Sequence, residues 1–365
     1  MAISSSQLCF LVAIIALFLI HPSESYPYPK SLFIFGDSIY DPGNNNFINT
    51  TTLLQANFIP YGETFFNYPT GRFSDGRLIP DFIAEFAKLP FIRPYLQPKN
   101  NHRLPYYGLN FASGGAGALS ETFSGLAIDL KMQLNYFKKV ASELRSKLGE
   151  KGSKSLLSNA IYMFSIGNND YLFPFSSNSS AIKDYGPQQF AQMVIGNFTY
   201  VIEEIYKTGG RKFGLVNIPQ LGCTPGLRII NNGECVEEMT ALAKLHNVLF
   251  NEKINEIKKK LHGFHYSLFD FFGISTEIKN NPSKFGFKEV KSACCGSGPL
   301  RGINSCGGKR GVEEFELCND VDEYFFFDSN HPTESAYRQL ANIMWNGDEK
   351  FTGPYSLKSL FEITF

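Results

Sequence analysis

Short apolar runs that break abruptly into glycine, asparagine, aspartate or serine recur along this chain, with stretches of helical period between them. The runs are Leu32–Phe35, Tyr106–Ala112, Ala160–Ile166, Arg211–Ile218 and His265–Phe271. A short run with little polar alternation reads as a strand buried on both faces. Between them, Leu78–Leu89 carries Ile79, Phe82, Ile83 and Phe86 on one helical face, with Pro80 in the first turn. Leu126–Leu148, Phe190–Thr208, Met239–Leu261 and Thr333–Trp345 have the same period, Thr333 standing at an N-terminal cap. Strands that alternate with helices predict an α/β fold, a three-layer α/β/α sandwich around a central parallel sheet of about five strands. Asn44–Arg77, rich in Asn, Gly, Pro and aromatic residues, reads as long surface loops, and the residues after Trp345 as a surface tail.

Leu8–Ile20 is almost entirely apolar, and Ser23 and Ser25 stand at the small positions before a cut at Tyr26. Residues 1–25 therefore read as a secretory signal peptide, too short in its apolar part for the ~20 residues of a membrane span. No later stretch is long and apolar enough to span. The expected product is secreted and extracellular, with no transmembrane segment after cleavage. Loss of Glu24 leaves 34 basic against 33 acidic groups, and runs such as Lys258–Lys260 look like solvated helix faces, so no nucleic-acid partner is expected. No linker, low-complexity tract or repeat divides residues 26–365, which read as one domain with a Cys-rich insertion at about 285–325. Cys223, Cys235, Cys294, Cys295, Cys306 and Cys318 remain after cleavage, an even count that in an exported chain implies disulfides. Cys223 and Cys235 close a short loop, leaving the other four to staple the Gly-rich segment 294–318. A metal site is not expected, since no histidine lies near these cysteines at finger spacing. Sequons at Asn49, Asn178 and Asn197 fit the same compartment.

The polar residues at the run ends carry the chemistry. Leu32–Phe35 breaks into Gly36-Asp37-Ser38, which sets Ser38 where an open α/β sheet presents its ligands. The triplet also serves as an ordinary turn. Ser113-Gly-Gly-Ala-Gly117 exposes backbone N–H groups or merely turns the chain, and Asn169 in Gly167-Asn-Asn-Asp170 either donates to a ligand or caps a helix. His331 follows Asp328 by three residues, after the apolar run Phe325–Phe327, whereas His102, His246, His262 and His265 lack such polar company. A serine nucleophile needs a base, a group that orients the base, and donors for an oxyanion. Ser38, Gly115, Asn169, Asp328 and His331 supply these roles if one parallel sheet collects their run ends at a single edge.

Four blocks occur in order: Phe-Gly-Asp-Ser-Ile-Tyr-Asp at 35–41, Asn-Phe-Ala-Ser-Gly-Gly-Ala-Gly at 110–117, Gly-Asn-Asn-Asp at 167–170 and Asp-Ser-Asn-His-Pro at 328–332. With them the chain resembles a plant GDSL-type esterase/lipase of the SGNH hydrolase superfamily. The resemblance implies a flavodoxin-like fold and a serine ester hydrolase needing no cofactor, acting on a small-molecule or lipid ester. It implies Ser38 as nucleophile, His331 as base and Asp328 as its orienting carboxylate. The oxyanion donors it implies are the N–H groups of Ser38 and Gly115 and the Asn169 side chain. Residue 39 is Ile where the motif name has Leu, an apolar exchange at a packing position. Gly71–Pro80 and Ala293–Gly307 also resemble the defence-associated subgroup, which implies a role in plant defence or lipid metabolism. An α/β-hydrolase is excluded by the lack of a Gly-x-Ser-x-Gly elbow. Two other classes share these motifs: an acyltransferase using the same site, and a non-catalytic binding or signalling protein on the same fold.

Overall fold

The computed structural model describes residues 30–98, 105–177 and 180–365. The proposed signal peptide, His102 and the sequon at Asn178 lie outside the described residues. The central sheet contains β1 (Leu32–Gly36), β2 (Ile161–Ser165), β3 (Lys212–Val216) and β4 (His265–Phe269), paired parallel in that order. β1 and β2 run straight through the core, with every residue buried. Phe33 and Phe35 enter one apolar layer while Leu32 and Ile34 enter the other, as the two-residue period of a strand requires.

Helices cover both faces. Against the Phe33 side pack α2 (Leu130–Asn159), α4 (Pro187–Thr208) and α5 (Glu237–Lys260), with α1 (Ile79–Phe86) on the opposite side. With α1 pack α6 (Phe271–Asn280), α7 (Glu334–Asn346) and α8 (Leu357–Glu362). A short α3 (Asn168–Ser176) leaves the end of β2. Thr333 caps α7 by accepting from Ala336 N, and Asp129 caps α2 by accepting from Met132 N. The sandwich and the α/β class are those expected from the alternating pattern.

Four details differ from the sequence-based reading. The fifth strand of the sheet, β9 (Thr352–Pro354), runs antiparallel to β4. Its Thr-Gly-Pro sequence has no apolar run, and its proline cannot donate to a ladder, so it suits only an edge. The C-terminal residues are no surface tail: Leu357, Leu360 and Phe361 are buried, and the buried Lys212 donates to Ile363 O at 3.0 Å. Residues 106–112 form no regular strand, although Ile34 N donates to Leu109 O and Phe111 N to Ile34 O, so the segment lies beside β1 as an irregular edge. The 44–77 loops are partly interior, with Asn44, Asn45, Tyr61, Arg72 and Phe73 buried while Phe47, Leu53, Ile59, Phe65 and Tyr68 stay exposed. Arg72 makes a two-pronged ion pair with Asp81, both contacts at 2.8 Å, which fastens the loop to α1.

The Cys-rich segment builds two small sheets apart from the central one. β5 (Glu289–Ala293) pairs with β8 (Tyr324–Phe326), and β6 (Cys295–Gly296) with β7 (Glu316–Leu317). The disulfides are Cys223–Cys235, Cys294–Cys318 and Cys295–Cys306.

Candidate active site

Gly36 ends β1 at φ +149°, and a Cβ there would stand 2.3 Å from Ser165 O of the neighbouring strand. Only glycine fits this turn, which lifts Ser38 out of the sheet plane. Gln133 clamps the turn from α2, accepting from Gly36 N at 2.9 Å and donating to Gly36 O at 2.8 Å. Asp37 is fully buried beneath it and accepts from Ile39 N at 3.0 Å and Asn168 Nδ2 at 2.9 Å. Burial drives the Asp37 carboxyl up to about 7, against the hydrogen bonds from Ile39 and Asn168 and the charge of His331.

His331 Nε2 lies 2.8 Å from Ser38 Oγ, and His331 Nδ1 lies 2.8 and 2.9 Å from the two oxygens of Asp328. Asp328 also accepts from the backbone N–H of Asn330 and of His331, at 2.9 and 2.8 Å, and from Tyr61 Oη at 2.6 Å. Burial pushes its carboxyl up, but the charges of His331 and Arg310 and the hydrogen bonds from His331 and Tyr61 outweigh that and hold it well below the ordinary carboxylate range. An ionised carboxylate only accepts, so Nδ1 carries the proton that faces it and Nε2 of the neutral ring is left to accept from Ser38. Phe73 covers the imidazole, with ring centres 4.8 Å apart.

The structure thus brings Ser38, Asp328 and His331 together, but not by the expected route. Asp328 and His331 follow β8, a strand of the small side sheet rather than of the central one. The main chain turns back after β8, with Phe327 N donating to His331 O and Thr333 N to Phe325 O.

Gly115 and Asn169 line the same cavity as Ser38 and His331. Gly114 N donates to Asp41 at 3.0 Å, whereas among the described residues no acceptor engages the N–H of Gly115 or of Ser38. Gly115 stands at φ +83°, and a Cβ there would meet Leu54 at 2.8 Å. Asn169 Nδ2 donates to Ala116 O at 2.9 Å, which uses one of its two N–H bonds. Asp41 organises this corner, accepting from Gly43 N, Asn44 N and Gly114 N. Asp170 ties α3 to the glycine loop, accepting from Ala118 N, Leu119 N and Thr122 Oγ1.

The cavity is about 620 Å³ and largely apolar, with Leu54, Phe123, Leu172, Phe173 and Leu221 among its walls. Tyr61, Asp41, Gln133 and Arg310 escaped the sequence reading. Only Asp41 lay inside a noted block, and nothing local marks the others.

A hydroxyl, an imidazole and a buried carboxylate in hydrogen-bonded series, opening on an apolar cavity, form the apparatus of a serine hydrolase. The chain belongs to the GDSL-like lipase/acylhydrolase family, whose sequence model matches residues 32–344. It is 51% identical over 338 residues to GDSL esterase/lipase 1 of Arabidopsis thaliana, covering 92% of this chain and 90% of that one. It is 50% identical over 368 residues to a GDSL lipase of Tanacetum cinerariifolium, covering 99% and 96%. It is a serine hydrolase acting on carboxylic esters. Among the described residues no helix is long and apolar enough to cross a membrane.

Proposed function

We propose that this protein is a secreted esterase/lipase whose domain spans residues 26–365 and which works through an acyl-enzyme on Ser38. The observation that carries the reading is the unbroken chain Ser38 Oγ, His331, Asp328 at the mouth of the apolar cavity. His331 Nε2 takes the Ser38 proton as Oγ attacks the ester carbonyl, and Asp328 fixes the tautomer and balances the imidazolium. The N–H groups of Ser38 and Gly115 and the second N–H of Asn169 receive the oxyanion; the first two have no acceptor among the described residues. The imidazolium then protonates the leaving alcohol. In the second half His331 removes a proton from water, which attacks the acyl carbon and restores Ser38. The apolar walls favour an ester with a hydrocarbon acyl group.

Three disulfides are at home in an oxidising compartment, and the exposed side chains of Asn49 and Asn197 leave room for glycans. Defence or lipid metabolism is the setting implied by the resemblance at 71–80 and 293–307. The decisive test is labelling with an active-site phosphonate alongside hydrolysis of a graded series of nitrophenyl esters. Wild type is expected to hydrolyse the esters and to be modified at Ser38. Folded Ser38→Ala is expected to do neither. A folded wild type that neither labels nor hydrolyses any ester overturns the proposal. Adding a competing alcohol and analysing products separates hydrolysis from acyl transfer.

A further inference from the structure

The Asp328 carboxylate is not the end of the hydrogen-bonded series. Tyr61 Oη donates to Asp328 Oδ2 at 2.6 Å, and Arg310 Nη1 in turn donates to Tyr61 Oη at 2.6 Å. Tyr61 is fully buried, its ring set edge-on against Phe58 and Phe327 at 5.4 and 5.2 Å between centres. Arg310 is buried too, yet among the described residues no carboxylate pairs with it. Its other N–H groups go to neutral acceptors, Asn304 Oδ1 at 2.9 Å, Gln55 O at 2.6 Å and Thr52 O at 3.1 Å. The guanidinium lies over the Tyr61 ring, 5.1 Å from its centre. A buried cation without a carboxylate partner is costly, and the nearest negative charge in its network is Asp328, one hydroxyl away.

We propose that Arg310 and Tyr61 are positioning residues of the active site, a relay through which the Cys-rich insertion holds the Asp328 carboxylate in the orientation His331 requires. This rests on the reading of Ser38, His331 and Asp328 as the catalytic set. The geometry leaves Tyr61 little choice of direction. Arg310 has only donors, so the Tyr61 oxygen accepts from it and the phenolic proton points to Asp328. A donor polarised by a cation binds a carboxylate more strongly than a neutral phenol does, and it blocks rotation of Oδ2 away from the imidazole. Arg310 lies between Cys306 and Cys318, each of which pairs back to the 294–295 step beside β8. The insertion therefore braces the strand that delivers Asp328 and also supplies the charge behind it.

The relay moderates the basicity of Asp328, so losing it strengthens the attraction of the carboxylate for the imidazolium formed during the reaction and moves the acid limb of the rate profile to higher pH. The other titratable groups that act on this pair are Asp37, which faces His331, and Tyr337, which faces Asp328. Neither is altered in the test.

Tyr61→Phe removes one hydroxyl and keeps the ring packing, and Arg310→Met removes the charge with a chain of similar length. Steady-state hydrolysis of a nitrophenyl ester across pH 4.5–9 is measured for wild type, Tyr61→Phe, Arg310→Met and the double variant, with Ser38→Ala as reference. Tyr61→Phe is expected to lower kcat about tenfold with KM within about twofold, and to move the acid limb of kcat/KM to higher pH. The double variant is expected to fall no further than the worse single one, as for residues acting in series. Unchanged kcat and pH profile in folded Tyr61→Phe overturn the relay. So does a loss confined to KM or melting temperature, which is what mere packing would give. Hydrolysis surviving in Ser38→Ala would instead overturn the catalytic reading on which the relay rests.

Discussion

Replacing Asp37 by Asn should make this protein more stable at neutral pH and change the slope of its pH profile. Asp37 is wholly buried, and burial pushes its carboxyl from the ordinary 3.8 up to about 7. The unfolded chain releases this proton near pH 4, whereas the folded protein keeps it until about pH 7. The native state therefore binds more protons in that window, and stability falls as pH rises through it. At about 1.4 kcal/mol per pH unit, the gap corresponds to about 4 kcal/mol lost by pH 7.5, a ceiling that local relaxation lowers.

Asn fits the space. Its carbonyl can accept from Ile39 N, and its amide can donate to Asn168 Oδ1, which is buried without a partner and comes within reach when the Asn168 amide flips. Denaturant unfolding with disulfides intact, at pH 4.5, 6.0 and 7.5, measures the difference. The variant should gain about 2–4 kcal/mol on wild type between the first and last pH. Asp41, Asp75 and Asp170, each raised to about 6 by burial, slope in the same direction, but they are common to both proteins and cancel in the comparison. Parallel stability curves would refute the reasoning. They would mean that Asp37 is already ionised in the fold and that hydrogen bonding, not desolvation, sets its charge.

As the oxyanion donor proposed above, Asn169 acts on charge that exists only during the reaction, so Asn169→Ala should lower kcat about 100- to 1,000-fold with KM little changed; steady-state kinetics on a nitrophenyl ester reads this. Arg72→Met strips the partner from buried Asp81 and should cost about 3–5 kcal/mol by denaturant unfolding. His246, buried against Tyr171, is depressed from 6.5 to about 3 by desolvation, so only the unfolded chain takes up its proton as pH falls below 6.5. Wild-type stability drains away on that side for this group, and the stability gap to His246→Phe should narrow from pH 7 to pH 4.5.

The four parallel strands of the central sheet, most helices, the α/β class and the candidate residues at the run ends were legible in the residue string because each is a local matter. A run such as Leu32–Phe35 is apolar on both faces because both faces are covered, and Gly36 is glycine because a side chain would strike Ser165 O. What stayed hidden were the partnerships between distant parts of the chain. Tyr61 and Asp328 are 267 positions apart, and nothing around either one names the other. The antiparallel β9 was invisible because an edge strand three residues long needs no periodicity. The loop at 44–77 read as surface because it is rich in Asn, Gly and Pro without a sustained period, yet Asn44, Asn45 and Arg72 are buried there with their hydrogen bonds satisfied by the rest of the fold. Hydrophobic patterning records which faces meet a core. Which polar group meets which, and hence whether Asp37 holds its proton or Asp328 loses it, depends on burial and neighbours that exist only once the chain has closed on itself.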